Sequence, residues 1–319
     1  MTQPSLHFLD CPDAQRGHRM AWWQWGDEDS EHVVVCVHGL TRQGRDFDAL
    51  AQALLAKAQQ QGRRLLVICP DIAGRGRSDW LPDPMAYQTL TYTADMLLLL
   101  LHLKAQNSGR CFDWLGTSMG GLIGLGVVGG LAQMAAGQAA LGASEAIEPS
   151  LALRRMVFND VGPHLQWSAM LRIASYVGVP GMQFSSLEEG VSYVRGVCAS
   201  FGRHTQAQWE ALSRPMLVEA GNGTWRLHYD PAIAEGFRQL TAEITDQTEV
   251  VLWALFDQIQ CPTLVLRGAE SDLLSAATAQ AMTERGPRAK LVTFADVGHA
   301  PTLISESQSA VVCQFLLED

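Results

Sequence analysis

The run Gly116-Thr117-Ser118-Met119-Gly120-Gly121 follows directly on the apolar stretch Cys111-Phe112-Asp113-Trp114-Leu115. A Gly-x-Ser-x-Gly turn between a strand and a helix passes backbone so close on both sides of the serine that its neighbours must be small. The hydroxyl of Ser118 then stands at the head of a helix, whose unpaired N–H groups and positive end favour developing negative charge. That arrangement suits a nucleophile attacking a carbonyl. Such a serine needs a base, an acid that orients the base, and donors for the oxyanion.

His299, in Asp296-Val297-Gly298-His299-Ala300-Pro301, is the expected base. It follows the last strand-like run and precedes the last helical one, and Gly298 frees the loop to bring the ring to Ser118. Asp272, in Gly268-Ala269-Glu270-Ser271-Asp272, is the expected acid. A carboxylate there would accept the imidazole N–H and fix the tautomer. Asp160 also follows a strand and is the main rival, although beside Gly162-Pro163 it reads equally as a turn residue. Glu270 is a weaker rival. The chain order Ser, Asp, His with a late acid favours Asp272. The expected oxyanion donors are the backbone N–H groups of Leu40 and Met119; losing one such donor typically costs about 3 kcal/mol of transition-state stabilisation. His38 reads as a brace for that loop and His102 as a packed group on an apolar helix. His164, His204 and His228 stay open as substrate contacts.

These residues need a frame. Val33–Val37, Leu65–Cys69, Phe112–Leu115, Arg155–Asn159, Thr263–Arg267 and Lys290–Phe294 are short apolar runs of the kind a doubly covered parallel strand requires. Helical patterns over Phe47–Gln60, Tyr92–Lys104 and Ser305–Leu317 alternate with them, which implies a parallel sheet with right-handed crossovers. Trp22, Trp23 and Trp25 suggest an early antiparallel hairpin. Strand signals vanish between Pro163 and about Gln260. The expected organisation is therefore a core from 1–162 and 260–319 with a helical cap from 163–259. Trp167, Met170 and Tyr176 would line the roof of a pocket for an apolar acyl or aromatic ester, unless they pack cap helix against cap helix.

The chain has 319 residues, 47% apolar and 18% charged, with a formal net charge of −10. That acidity disfavours nucleic acid and anionic membrane surfaces as partners. Residues 1–20 lack the apolar core of a signal peptide. The seven cysteines show neither a CxxC pair nor Cys/His ligand spacing, so reduced thiols, a cytoplasmic location and no metal are expected. Met119 to Ser144 carries no charge and is long enough to span a bilayer. Its glycines, Gln133 and Gln138 favour instead a helix buried on all sides within an α/β protein.

Taken together, His38-Gly39, Asp71-x-x-Gly74-x-Gly76-x-Ser78, Gly116-x-Ser118-Met119-Gly120-Gly121, Asp272 and Gly298-His299 make a chain that resembles the α/β-hydrolase-fold proteins from about residue 33 to its end. The resemblance implies an α/β architecture with an eight-stranded, mostly parallel sheet, an inserted helical cap, hydrolysis without a cofactor, and a structural role for the turn Asp71–Ser78. A serine nucleophile argues against the haloalkane dehalogenase and epoxide hydrolase branches. The expected activity is cleavage of a carboxylic ester or related acyl bond of a small molecule through an acyl-enzyme. Carbon–carbon cleavage of a vinylogous diketone and lactone hydrolysis compete with it, as does a non-catalytic ligand-binding protein of the same fold. A homodimer is left open. The Ala/Gly-rich stretch running to about Pro149 exceeds what the resemblance requires.

Overall fold

The structure is a computed structural model that describes residues 3–12, 16–140, 151–179 and 181–318. Its centre is an eight-stranded sheet. In chain order the strands are β1 (Ser5–Cys11), β2 (His18–Gly26), β3 (His32–Val37), β4 (Leu66–Asp71), β5 (Cys111–Thr117) and β6 (Leu153–Asn159). A separate hairpin of β7 (Leu217–Gly221) and β8 (Thr224–Leu227) comes next, and β9 (Thr263–Gly268) and β10 (Lys290–Phe294) complete the large sheet. Its spatial order is β1-β2-β4-β3-β5-β6-β9-β10. β2 runs antiparallel to both neighbours, and every other pairing is parallel. The early hairpin and the mostly parallel eight-stranded sheet are as the sequence implies.

The pleat sorts the central strands between two cores. Val33, Val35 and Val37 of β3 join one cluster, while Val34 and Cys36 join the other. β4 divides the same way, with Leu66 and Ile68 on one face and Val67 and Cys69 on the other. Both faces are covered, so period-2 alternation places apolar groups on each and the strands read as continuous apolar runs. Helices α1 (Asp48–Gln60) and α10 (Glu306–Leu317) cover one face; α2 (Thr89–Gln106) and α3 (Met119–Ala140) cover the other.

α3 is buried less completely than its composition suggests. It is mostly buried as far as Leu131, where Thr93 and Leu97 of α2 press on Gly126 and Gly130. Residues 132–137 are exposed. Among the described residues it is the one helix long and apolar enough to cross a membrane, by length and composition alone. The rest of the Ala/Gly-rich stretch, 141–150, lies outside the described residues.

Between β6 and β9 lie α4 (Trp167–Tyr176), α5 (Leu187–Val197), α6 (Gln206–Ser213), α7 (Ala234–Arg238) and α8 (Ala242–Asp257). Leu255 of α8 rests on Gly129 of α3. This region is not all helical: β7 and β8 pair antiparallel across Asn222-Gly223, where both residues have positive φ (53° and 73°). Two successive left-handed residues of Asn-Gly type make the tight turn whose twist suits a hairpin.

Candidate active site

The turn after β5 is as tight as its composition demands. A Cβ on Gly116 would lie 2.3 Å from the carbonyl carbon of Gly120, and one on Gly120 would lie 2.1 Å from the carbonyl oxygen of Val37. Ser118 itself adopts φ 52°, a left-handed conformation uncommon outside glycine and characteristic of residues held by their surroundings for a purpose. Its N–H donates to Asn159 O at 2.9 Å, which fixes the turn to the neighbouring strand β6.

The hydroxyl of Ser118 lies 2.9 Å from Nε2 of His299, in the loop after β10. The other ring nitrogen, Nδ1, lies 2.7 Å from Oδ2 of Asp160, immediately after β6. With a carboxylate acceptor at Nδ1, the proton belongs there, and the Nε2 lone pair faces the serine O–H. The Asp160 side chain is fully buried and that of His299 is 10% exposed. Asp160 accepts two further hydrogen bonds, from Gly268 N–H at 2.9 Å and from the Ser271 hydroxyl at 2.6 Å. It too has positive φ, 57°. Sheet order explains the meeting: β6 lies between β5, which carries Ser118, and β9, whose loop supplies Gly268 and Ser271.

Asp272 does something else, which corrects the sequence reading. Its carboxylate takes a bidentate pair of hydrogen bonds at 2.5 and 2.8 Å from Arg172 of α4. The side chain is 44% exposed. Burial opposes its ionisation, but the bonds and charge of Arg172, with His299 nearby, hold its carboxyl below the usual range. The physical reason lies one residue earlier. Ser271 turns inward to Asp160, so Asp272 turns outward and meets the guanidinium. Glu270 is exposed, with its backbone N–H bonded to Val297 O.

Leu40 and Met119 are the expected oxyanion donors. Met119 follows it directly, and a Cβ on Gly39 would lie 3.6 Å from the Ser118 Cβ. Among the described residues no hydrogen bond is donated by the N–H of Leu40 or of Met119. His38 ties this loop down: Nδ1–H donates to Gly39 O at 2.7 Å, and Nε2 accepts Ile72 N–H at 3.0 Å. Burial drives its pKa down to about 3, so the ring is neutral. In the turn Asp71–Ser78, the Asp71 carboxylate accepts the N–H groups of Gly44 and Arg77 and the Trp23 indole.

Residues the sequence reading missed brace the loops that carry Ser118 and His299. Asn159 donates from Nδ2 to Thr117 Oγ1 at 2.9 Å and to Pro301 O at 2.8 Å, joining the serine and histidine loops. Ser200, between α5 and α6, donates to His299 O at 2.9 Å and accepts Gly298 N–H at 2.6 Å. His204 meets Thr302 Oγ1 at 2.7 Å. His164 pairs with Glu249, and His228 lies 3.3 Å from Pro215 O; His102 meets the Gln106 side chain. None of these four histidines touches Ser118 or Asp160 among the described contacts.

Of the three expected pocket residues, Met170 is buried in the main core and Trp167 packs against it. Tyr176 lines a cavity of about 30 Å³ with Thr41, Arg42, Cys198 and Tyr229. That is room for a water or two rather than an acyl chain. A wider cleft of about 630 Å³, lined by His7, Trp22 and Arg110, contains neither Ser118 nor His299. Elsewhere in the interior, Cys11, His18 and Asp95 cluster. Burial and Asp95 push the Cys11 thiol well above its usual range, so it faces the carboxylate as a neutral S–H.

The chain is similar to several known proteins. A protein named 3-hydroxybutyrate-oligomer hydrolase, from Cupriavidus necator, is 42% identical over 315 residues, spanning 98% of this chain and 97% of that one. An alpha/beta hydrolase structure from Novosphingobium aromaticivorans matches with a TM-score of 0.74 and 30% identity, covering 99% of both chains. A structure from Rickettsia typhi shares the fold with a TM-score of 0.77 at 22% identity, again over 99% of each. The profile described as the alpha/beta hydrolase family matches residues 34–314. The chain belongs to the alpha/beta hydrolase family.

Proposed function

We propose that this protein is a serine hydrolase that cleaves the ester bonds of short 3-hydroxyacid oligomers through an acyl-enzyme. The observation that carries the reading is the continuous hydrogen-bonded line Ser118–His299–Asp160, at 2.9 and 2.7 Å, on the sheet edge where the strands end. The substrate class rests on the relative from Cupriavidus necator, 42% identical over nearly the whole length.

In this mechanism His299 Nε2 takes the Ser118 proton as Oγ attacks the ester carbonyl. The imidazolium that forms is held by the buried Asp160 carboxylate. The tetrahedral oxyanion rests on the N–H groups of Leu40 and Met119. As the C–O bond to the leaving alcohol breaks, Nε2 returns its proton to that oxygen. Water then attacks the acyl-enzyme with His299 again as base, releasing the acid and restoring the serine. Residues 163–259 act as the roof of the site.

The test is release of 3-hydroxybutyrate from its dimer and trimer, alongside hydrolysis of p-nitrophenyl butyrate. Saturable turnover of the oligomers is expected. Ser118→Ala should reduce turnover about a millionfold and abolish labelling by a fluorophosphonate probe. A Ser118→Ala protein keeping a tenth of the wild-type rate would overturn the reading. So would wild-type protein that binds oligomers without cleaving them.

A further inference from the structure

Arg75 sits in the turn that the sequence marks as merely structural, yet it is one of the largest fully buried side chains, with no exposure. Among the described residues no carboxylate lies within ion-pair distance of its guanidinium. The acids in its neighbourhood are engaged elsewhere: Asp230 accepts from the Tyr87 hydroxyl, and Asp95 pairs with His18. Burying a cation without a counter-charge is costly, and proteins tolerate it only where dipoles or function compensate.

The compensation is specific. Nε donates to Leu40 O at 2.8 Å; Nη1 donates to Ala73 O at 2.6 Å and to the Tyr92 hydroxyl at 2.9 Å. The charge also lies 4.9 Å from the ring centre of Tyr92 and 5.8 Å from that of Tyr87. Nη2 reaches Met119 Sδ at 3.8 Å. One rigid fork therefore touches both residues whose N–H groups face the developing oxyanion in the mechanism above. Lysine has no such planar spread of donors. Neighbouring backbone links the same turn to the segment after β8, through Gly76 N–H to His228 O and Asp230 N–H to Gly74 O.

We propose that Arg75 is a positioning residue of the oxyanion hole. It fixes the Leu40 and Met119 donors and holds a positive charge with no direct carboxylate partner among the described residues behind the carbonyl oxygen that becomes negative. The proposal rests on the reading of Ser118 as nucleophile. Fixed charge in a dry site acts more strongly on charge that appears in the transition state than on a neutral ground state. Its signature is therefore a loss in kcat rather than in substrate binding.

The experiment compares Arg75→Met and Arg75→Lys with wild type on the 3-hydroxybutyrate dimer and on p-nitrophenyl butyrate. Two inhibitors report separately: a boronic acid, which forms a tetrahedral adduct on Ser118, and free 3-hydroxybutyrate, which mimics only the ground state. Arg75→Met should lower kcat about 100-fold and weaken the boronate by a similar factor, with KM and product inhibition nearly unchanged. Arg75→Lys should recover part of the loss, standing about tenfold below wild type. Wild-type kcat in the methionine variant overturns the proposal. So does a loss confined to KM and product inhibition, which would make Arg75 a receptor for the substrate's carboxylate. If the methionine variant does not fold, the lysine variant decides, and wild-type kcat there overturns the positioning role. Residual activity in Ser118→Ala is a separate failure, of the nucleophile and not of Arg75.

Discussion

Asp160 and Asp272 both follow a strand of the large sheet, after β6 and after β9, and both lie near His299. One is fully buried, held by the Gly268 N–H and the Ser271 hydroxyl, and bonded to Nδ1 of His299. The other is 44% exposed and held by Arg172 of α4. A carboxylate that must stabilise an imidazolium needs its charge undiluted and its position fixed. Neutral donors supply both to Asp160. Asp272 has its charge answered by a guanidinium and its field screened by water.

The sharpest way to break that contrast is Asp160→Asn. An amide in this place retains the shape but inverts the tautomer of His299, so kcat should fall about 10⁴-fold while KM changes little. A mild effect here, with the loss appearing instead in Asp272→Asn, would reverse the roles assigned to the two carboxylates.

Burial sorts the imidazoles too. His38 is fully buried while His299 is partly open to the site. Burial, with Arg75 and Arg42 nearby, lowers the His38 pKa from 6.5 to about 3. Below pH 6.5 the unfolded chain takes up a proton that the folded one refuses. Stability from this group is therefore complete above about pH 6.5 and is lost as pH falls towards about 3, by an amount on the order of several kcal/mol. Urea unfolding at pH 7, 5 and 4 should show it as a falling midpoint, with a shallower fall in His38→Asn. Parallel curves for the two proteins would remove His38 as the cause. A smaller effect is expected for Ser271→Ala, which strips one donor from Asp160. A hydrogen bond to a charged group contributes about 2 kcal/mol, so kcat should drop by roughly tenfold or somewhat more. No change would mean that Gly268 alone fixes the carboxylate.

The outline of this site was legible because its signals are local. Gly116, Ser118 and Gly120 announce a turn that no bulky sequence can make, and the β-branched run Val33–Val37 announces a covered strand. The choice between Asp160 and Asp272 was not legible, because it depends on spatial strand order. The placement of β6 between β5 and β9 puts Asp160 one strand from the serine, and no spacing along the chain records that. Ser200 and Asn159 were hidden for the same reason: each acts on a loop far away in sequence. The hairpin of β7 and β8 is a different kind of miss. Asn222-Gly223 is a strong local turn signal, masked by helical composition on both sides. Arg75 was legible only as part of a glycine-rich turn, since its role lies in what surrounds its side chain.

The smallest effect belongs to Asp272→Asn, and it tests the comparison from its other end. Arg172 and Asp272 form a bidentate pair, but both side chains are more than a third exposed (37% and 44%). Solvent-screened pairs of this kind contribute about 0–1 kcal/mol. Removing the charge should leave kcat within about threefold of wild type and stability within about 1 kcal/mol. The pair does join α4 to the loop after β9, so the residual effect should concern how the overlying region sits rather than the chemistry. It should appear in KM for the longer oligomer and fade as salt is raised, because an exposed ion pair weakens with screening while the buried Asp160–His299 bond does not. A salt-insensitive fall in kcat in Asp272→Asn would instead mean that its carboxylate acts on His299 directly, and the two acids would have to be treated as a coupled pair.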